Sequence, residues 1–85
     1  MTKAGKIALR ADGRLYLNDQ YVYAFTTSAR AKFTILIAKA SKKLREDGIE
    51  ILSNWKLTHV GKDTYIYEAE TSKGKAVLEI EVLTL

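Results

Sequence analysis

The chain of 85 residues contains no cysteine and no proline. Without cysteine it can form neither disulfides nor thiolate metal sites, and nothing points to an oxidising compartment. Without proline it has no polyproline docking motif and no slow X–Pro isomerisation. Only one histidine, His59, is present, and neither a phosphate-binding glycine loop nor a metal-ligand spacing accompanies it.

Long apolar runs are also missing. Residues 1–13 lack the apolar segment of a signal peptide, and no run of about 18 apolar residues occurs anywhere. We therefore expect a cytoplasmic protein with no membrane partner. The chain is 47% apolar and 28% charged, which is typical of a globular protein. Its length predicts one domain over residues 1–85.

Alternation of apolar and polar residues predicts six short strands. Three precede a central segment and three follow it: Lys6–Arg10, Arg14–Leu17, Gln20–Phe25, then strands within Ile49–Val60, Thr64–Glu70 and Lys75–Leu85. Asp12–Gly13 and Asn18–Asp19 are predicted turns, because such pairs adopt tight hairpin geometry. Turns this short favour antiparallel neighbours, since parallel strands need a long crossover.

The central segment Ala31–Arg45, AKFTILIAKASKKLR, predicts one helix. Six apolar residues share one arc at 100° per residue: Ala29, Phe33, Leu36, Ile37, Ala40 and Leu44. Thr26–Ser28 supply hydroxyls for the N-cap, and Gly48 ends the helix because glycine accepts a left-handed conformation. We predict a two-layer α+β fold in which an antiparallel sheet of five to six strands packs against one helix, in the order βββ-α-βββ.

The predicted strands separate an inner face from an outer face. Trp55, Tyr21 and Tyr23 are expected to pack inward, and His59 is expected to be a partly exposed sheet residue. Four carboxylates alternate on the outer face: Glu68, Glu70, Glu79 and Glu81. Such solvated carboxylates lack the burial that tunes a catalytic acid. The pattern favours a protein that is not an enzyme, with no cofactor and no small-molecule ligand.

The outer face has two interpretations. It is either a solvated surface or an acidic docking surface to which Ile66 and Val77 add exposed apolar contacts. Lys56 and Thr58 are expected beside Glu68 and Glu70 on adjacent strands, where each pair contributes a few tenths of a kcal/mol.

Positive charge is concentrated in the helix region. The formal net charge is +4 overall, with +2 in residues 1–25, +4 in residues 26–48 and −2 in residues 49–85. Opposite the apolar arc, the sequence predicts a basic helix face formed by Lys32, Ile35, Lys39, Lys42, Lys43 and Arg45. This face is interpreted as a solvated surface, a phosphate-binding surface or a protein contact in which lysines surround Ile35.

A second basic patch is predicted on the first strands. Arg10, Arg14 and Tyr16 are separated by even numbers of residues and are expected on the same outer face. Arginine beside exposed tyrosine can stack single-stranded bases. Together these features favour a small non-enzymatic module that binds a protein partner or itself through the basic helix face or a sheet edge. The alternative is a nucleic-acid-binding domain that uses the helix lysines on phosphates.

Overall fold

The computed structural model describes residues 8–28 and 33–84. Within these ranges the chain forms five strands and one helix: β1 Ala8–Leu17, β2 Gln20–Ser28, α1 Phe33–Glu46, β3 Lys56–Val60, β4 Thr64–Thr71 and β5 Gly74–Thr84. The strands make one antiparallel sheet in the order β2-β1-β5-β4-β3. The helix packs on one face of this sheet, which confirms the predicted α+β class.

The first third of the chain is a hairpin and not the predicted three-strand meander. Strand β1 runs without a break through Asp12–Gly13, so the turn predicted there is wrong. A Cβ atom added to Gly13 would lie 3.3 Å from Leu78 Cδ1 and 3.4 Å from Leu36 Cδ2. Glycine thus lets two core leucines approach the strand closely. Lys6, the start of the predicted first strand, lies outside the described residues.

The turn predicted at Asn18–Asp19 is confirmed. Both residues have positive φ, 52° and 67°, as a two-residue hairpin turn requires. The Asn18 amide also donates to the carbonyl of Lys73 at 2.6 Å and accepts from the backbone N–H of Lys75 at 3.2 Å. These bonds join the β1–β2 turn to the β4–β5 turn.

A bulge near the start of β2 separates its two exposed tyrosines. Leu15 pairs with Tyr23 and Tyr16 pairs with Tyr21, which leaves Val22 as the additional residue. Tyr23 therefore lies on the helix side of the sheet and Tyr21 on the outer side. They are 49% and 61% exposed, so the prediction that both pack inward is wrong.

The helix has the predicted apolar side and the predicted end. Its buried and partly buried residues are Phe33, Leu36, Ile37, Ala40 and Leu44. Gly48 has φ +77°, and two backbone bonds close the helix, from Gly48 N to Arg45 O and from Ile49 N to Leu44 O. This is a Schellman end with Gly48 at C′. The predicted N-cap residues Thr26–Ser28 instead belong to β2, whereas residues 29–32 are outside the described ranges.

The segment after the helix is less regular than predicted. Strand β3 begins only at Lys56, and residues 49–55 carry a single bridge, from Ile51 to Thr71. Trp55 is half-buried against the core, and its indole Nε1–H donates to Ser41 Oγ at 2.9 Å. The order is therefore ββ-α-βββ.

The predicted outer position of the carboxylates leaves the alternate residues of β4 and β5 facing inward, and this alternation is confirmed. Ala69, Ala76, Leu78 and Ile80 are buried, and Tyr65 and Tyr67 pack beside them. The core cluster between sheet and helix consists of Ala11, Leu15, Phe25, Leu36, Ala40, Leu44, Ile49, Ala76, Leu78 and Ile80.

Candidate functional site

A groove of about 230 Å³ lies between α1 and the edge strand β2. Strand β2 contributes two aromatic rings to it, and α1 contributes three lysines and one carboxylate: Tyr23, Phe25, Lys39, Lys42, Lys43 and Glu46. Half of the predicted basic helix face is thus gathered on the side of the helix that flanks β2.

The contacts of two lysines show how α1 lies beside β2. The Lys39 Nζ donates to the backbone carbonyl of Thr26 over a long 3.5 Å. The Lys43 Nζ lies 5.1 Å from the centre of the Tyr23 ring, which is a cation–π distance. The same ammonium is 3.6 Å from a carboxylate oxygen of Asp47. Lys43 therefore packs at the flank of the helix. The sequence predicts a position opposite the apolar arc, and that prediction is wrong.

Two further residues of the basic helix face, Ile35 and Arg45, do not line the groove. Ile35 is 43% exposed and Arg45 is exposed. Lys32 lies outside the described residues. Among the described residues, Lys39, Lys42 and Arg45 form no ion pair, so their charges are available to a ligand.

Strand β2 is a weakly protected sheet edge, because its bulge at Val22 leaves the run from Tyr23 to Ser28 regular. Its nine residues, QYVYAFTTS, carry no charge and no proline, whereas natural edge strands are usually interrupted by charged residues, proline or bulges. Because Lys39 reaches the carbonyl of Thr26, that carbonyl points away from β1. Backbone groups alternate along an antiparallel strand, so the N–H and C=O of Ala24 point to the same free side.

The opposite edge, β3, is protected. It has only five residues, begins with Lys56, and all five of its residues are exposed. The register shifts between Leu57 and His59, so Thr58 forms a bulge in the middle of the strand. Short length, a charge and a bulge all discourage pairing with another strand. Of the two edges, β2 offers the longer regular run, from Tyr23 to Ser28.

The second predicted patch lies on the outer face, but its charges are already paired. Arg10 Nε is 3.4 Å from Asp12 Oδ1. Arg14 donates to Glu79 Oε1 at 3.1 Å and to Glu81 Oε1 at 3.3 Å. The hydrogen bond to Glu79 is the largest cause that raises the pKa of Arg14, against the lowering effect of burial. Neutralised arginines are poor phosphate ligands, because binding would first break these pairs.

Tyr16, the third residue of that patch, contacts Tyr21 across the β1–β2 pair. The two rings meet edge to face with centres 6.0 Å apart. This aromatic pair was not predicted, because nothing in the sequence marks the bulge that moves Tyr21 to the outer face.

The predicted outer-face carboxylates form a ladder with basic and polar neighbours. Glu68 lies 3.6 Å from Lys75 Nζ and accepts a hydrogen bond from Thr58 Oγ1 at 3.2 Å. Ile66 and Val77 are only half-buried among these charges. The mixture of signs describes a solvated face and gives no concentrated acidic surface.

The described part of the chain contains no cluster of side chains suited to hold a metal ion. Within 8–28 and 33–84, no three side chains of His, Asp or Glu come together as a metal site would need. His59 is exposed on β3. No helix in the same ranges has the length and apolar character to cross a bilayer. Comparison of the chain with protein-family models, curated proteins and solved structures gives no match.

Proposed function

We propose that the protein is a small non-enzymatic interaction module that binds an extended segment of protein along the free edge of β2. The observation that carries this proposal is the pairing of an uncharged nine-residue edge strand with an adjoining groove. Peptides that add a strand to a sheet edge gain affinity from main-chain bonds and specificity from pockets beside the edge. Strand β2 has both parts.

Binding begins with the backbone groups that point away from β1. The N–H and C=O of Ala24 and Thr26 pair with the incoming strand, and Lys39 gives up its long bond to the Thr26 carbonyl. Successive side chains of the added strand alternate between faces. Every second one therefore enters the groove above Tyr23 and Phe25.

Nucleic-acid binding stays the alternative function. Lys39, Lys42 and Arg45 would contact phosphates, and each neutralised phosphate would add salt-dependent affinity. The pairing of Arg10 and Arg14 with carboxylates weakens this alternative, because it removes the second contact area. The free β2 edge has no role in binding to phosphates.

The experiment compares two substitutions at Ala24. Linear peptides are selected from a random displayed library against the intact chain, and their affinities are then measured for Ala24→Pro and Ala24→Val. Proline removes the outward N–H without removing a bond to β1, whereas valine keeps it. Loss of one bond and the added steric conflict should weaken binding by about 5- to 100-fold for proline, and by about twofold or less for valine.

Amide hydrogen exchange supplies the second readout. In the wild-type chain, the amides of Ala24 and Thr26 should exchange fast alone and slowly with bound peptide, because only the ligand protects them. Unchanged exchange at both amides, equal affinity for the two Ala24 variants, or a selection that yields no peptide would each refute the proposed function. Circular dichroism confirms that both variants fold.

A further inference from the structure

We infer that the segment bound along β2 is an acidic strand of a different protein and not a second copy of this chain, an inference that rests on the proposed function. The β2 edge alone does not decide between these occupants, because it carries no charge. The helix side of the groove does decide, since three ammonium groups and one carboxylate line it.

The positive charges lie along the path of the added strand. A strand paired with β2 runs about 4.8 Å from it, on the side that Lys39 reaches at Thr26. Lys43, one helical turn further on, lies beside Tyr23. The helix therefore follows the edge for several residues, and groove-facing side chains of a ligand pass the lysines in turn.

The charge is not uniform along the groove. Asp47 neutralises part of the Lys43 charge, and Glu46 lines the groove near the end of the helix. Lys39 and Lys42 have no acidic partner among the described residues. A carboxylate of the ligand therefore pairs with Lys39, two turns from Glu46, or with Lys42, which forms no ion pair although Glu46 is one turn away.

The floor of the groove is aromatic. Tyr23 is 49% exposed, and its ring centre lies 5.2 Å from that of Phe25. An apolar side chain of the ligand covers this exposed ring surface. The chemistry of the occupant is thus an extended segment that alternates between faces and carries Asp or Glu together with an apolar residue on its groove side.

A second copy of the chain fits this surface poorly. In antiparallel pairing of β2 with its own copy, a two-fold axis perpendicular to the sheet puts both helices on the same face. The three lysines and one glutamate that line each groove are then brought onto one shared face. This excess of positive charge opposes association, because Glu46 and Asp47 of each copy offset only part of it.

Three peptide sets test the inference with the intact chain. All have about nine residues, the length of β2, with Thr at every second position and, at the positions between, Val or Tyr alternating with Glu, with Ser or with Lys, and each pattern is made in both phases. We expect the Glu set to bind about tenfold more tightly than the Ser set at about 0.05 M salt, and this advantage to shrink at about 0.5 M. Lys39→Gln and Lys42→Gln should each reduce it, whereas Lys62→Gln, at a distant turn, should not.

The outcomes separate the inference from the proposed function. If the Ser or Lys set binds as tightly as the Glu set and Ala24→Pro still weakens binding, edge binding stands and the acidic ligand is excluded. A dimer that Ala24→Pro abolishes, seen by sedimentation of the chain alone, would also keep edge binding but overturn the choice of a different protein. If no set binds, or a labelled oligonucleotide displaces the Glu set and binds equally well to Ala24→Pro, both ideas fail.

Discussion

Neighbouring residues on α1 provide a sharp test of how the helix packs. Leu36 is completely buried and Ile35 is 43% exposed. Replacing each with alanine removes a similar number of carbon atoms at adjacent positions. The two substitutions therefore differ mainly in the burial of the side chain that is lost. Ile35 belongs to the predicted basic helix face, so the comparison also tests its position on the solvent side.

The expected costs differ by several fold. Leu36→Ala should destabilise the fold by about 2–5 kcal/mol, the range for buried leucines that leave a cavity. Ile35→Ala loses about 1 kcal/mol of partial burial and regains a few tenths from the higher helix propensity of alanine. A domain of this length has a total stability of about 4–13 kcal/mol. Leu36→Ala therefore removes a large fraction of it.

Urea denaturation gives both numbers, with Trp55 fluorescence as the probe because the indole contacts α1 through Ser41. Linear extrapolation yields the free energy of unfolding, and an unchanged slope shows that the comparison is valid. We expect a gap of about 1–4 kcal/mol between the variants. Costs that agree within about 0.5 kcal/mol would refute the orientation of α1 and with it the groove.

Two further substitutions test turns. Gly48→Ala should lower the free energy of unfolding by about 1–2 kcal/mol, because a side chain at φ +77° is strained although no atom lies within 4 Å of an added Cβ. The melting temperature should fall by about 4–8 °C per kcal/mol. An unchanged melting temperature would contradict the described end of α1. Asn18→Ala should lower the free energy of unfolding by about 1–3 kcal/mol, because it removes the hydrogen bonds to Lys73 and Lys75. Wild-type stability in chemical denaturation would count against this connection between the two turns. Asn18→Gly removes the same bonds without strain at φ 52°, so it separates the two effects.

Residue type and short-range periodicity predicted the features that depend only on residues close together in the sequence. Asn18–Asp19 tolerate positive φ, and Gly48 supplies the left-handed residue at the helix end, so both were readable from residue type. The arc of apolar residues on α1 and the alternation in β4 and β5 each match one regular period. These patterns were sufficient for the α+β class.

Gly13 shows where such signals failed. Asp12–Gly13 has the composition of a hairpin turn, yet Gly13 lies inside β1, where Leu78 and Leu36 come within 3.3 and 3.4 Å of the position that a Cβ would take, so a small residue is favoured there. That requirement comes from residues far away in the sequence. The sequence contained a partial signal for this strand. Every second residue through the supposed turn, Ala11, Gly13 and Leu15, is small or apolar, and all three are buried.

The candidate site was predicted only in part, because an edge is a property of strand order. The lysines of α1 were identified from charge alone, but their position beside β2 depends on which strand ends the sheet. The sequence did contain one usable signal, the uncharged run from Gln20 to Ser28. Its meaning becomes clear only when β2 is known to have a single neighbouring strand.

The two edge strands of the sheet differ in what limits their pairing with other strands. Strand β3 carries its protection within the strand, in Lys56 and in the bulge at Thr58. Strand β2 has a bulge at Val22 but no charged residue of its own, and positive charge reaches it from Lys39 and Lys43 on the adjacent helix. Charges in a strand block every incoming partner, whereas charges beside a strand leave its backbone free and act on the partner's side chains. A copy of β2 brings its own lysines and is repelled, while a strand with carboxylates meets the same lysines and is attracted. On the proposed function, the placement of charge beside β2 would combine avoidance of self-pairing with selection of an acidic ligand.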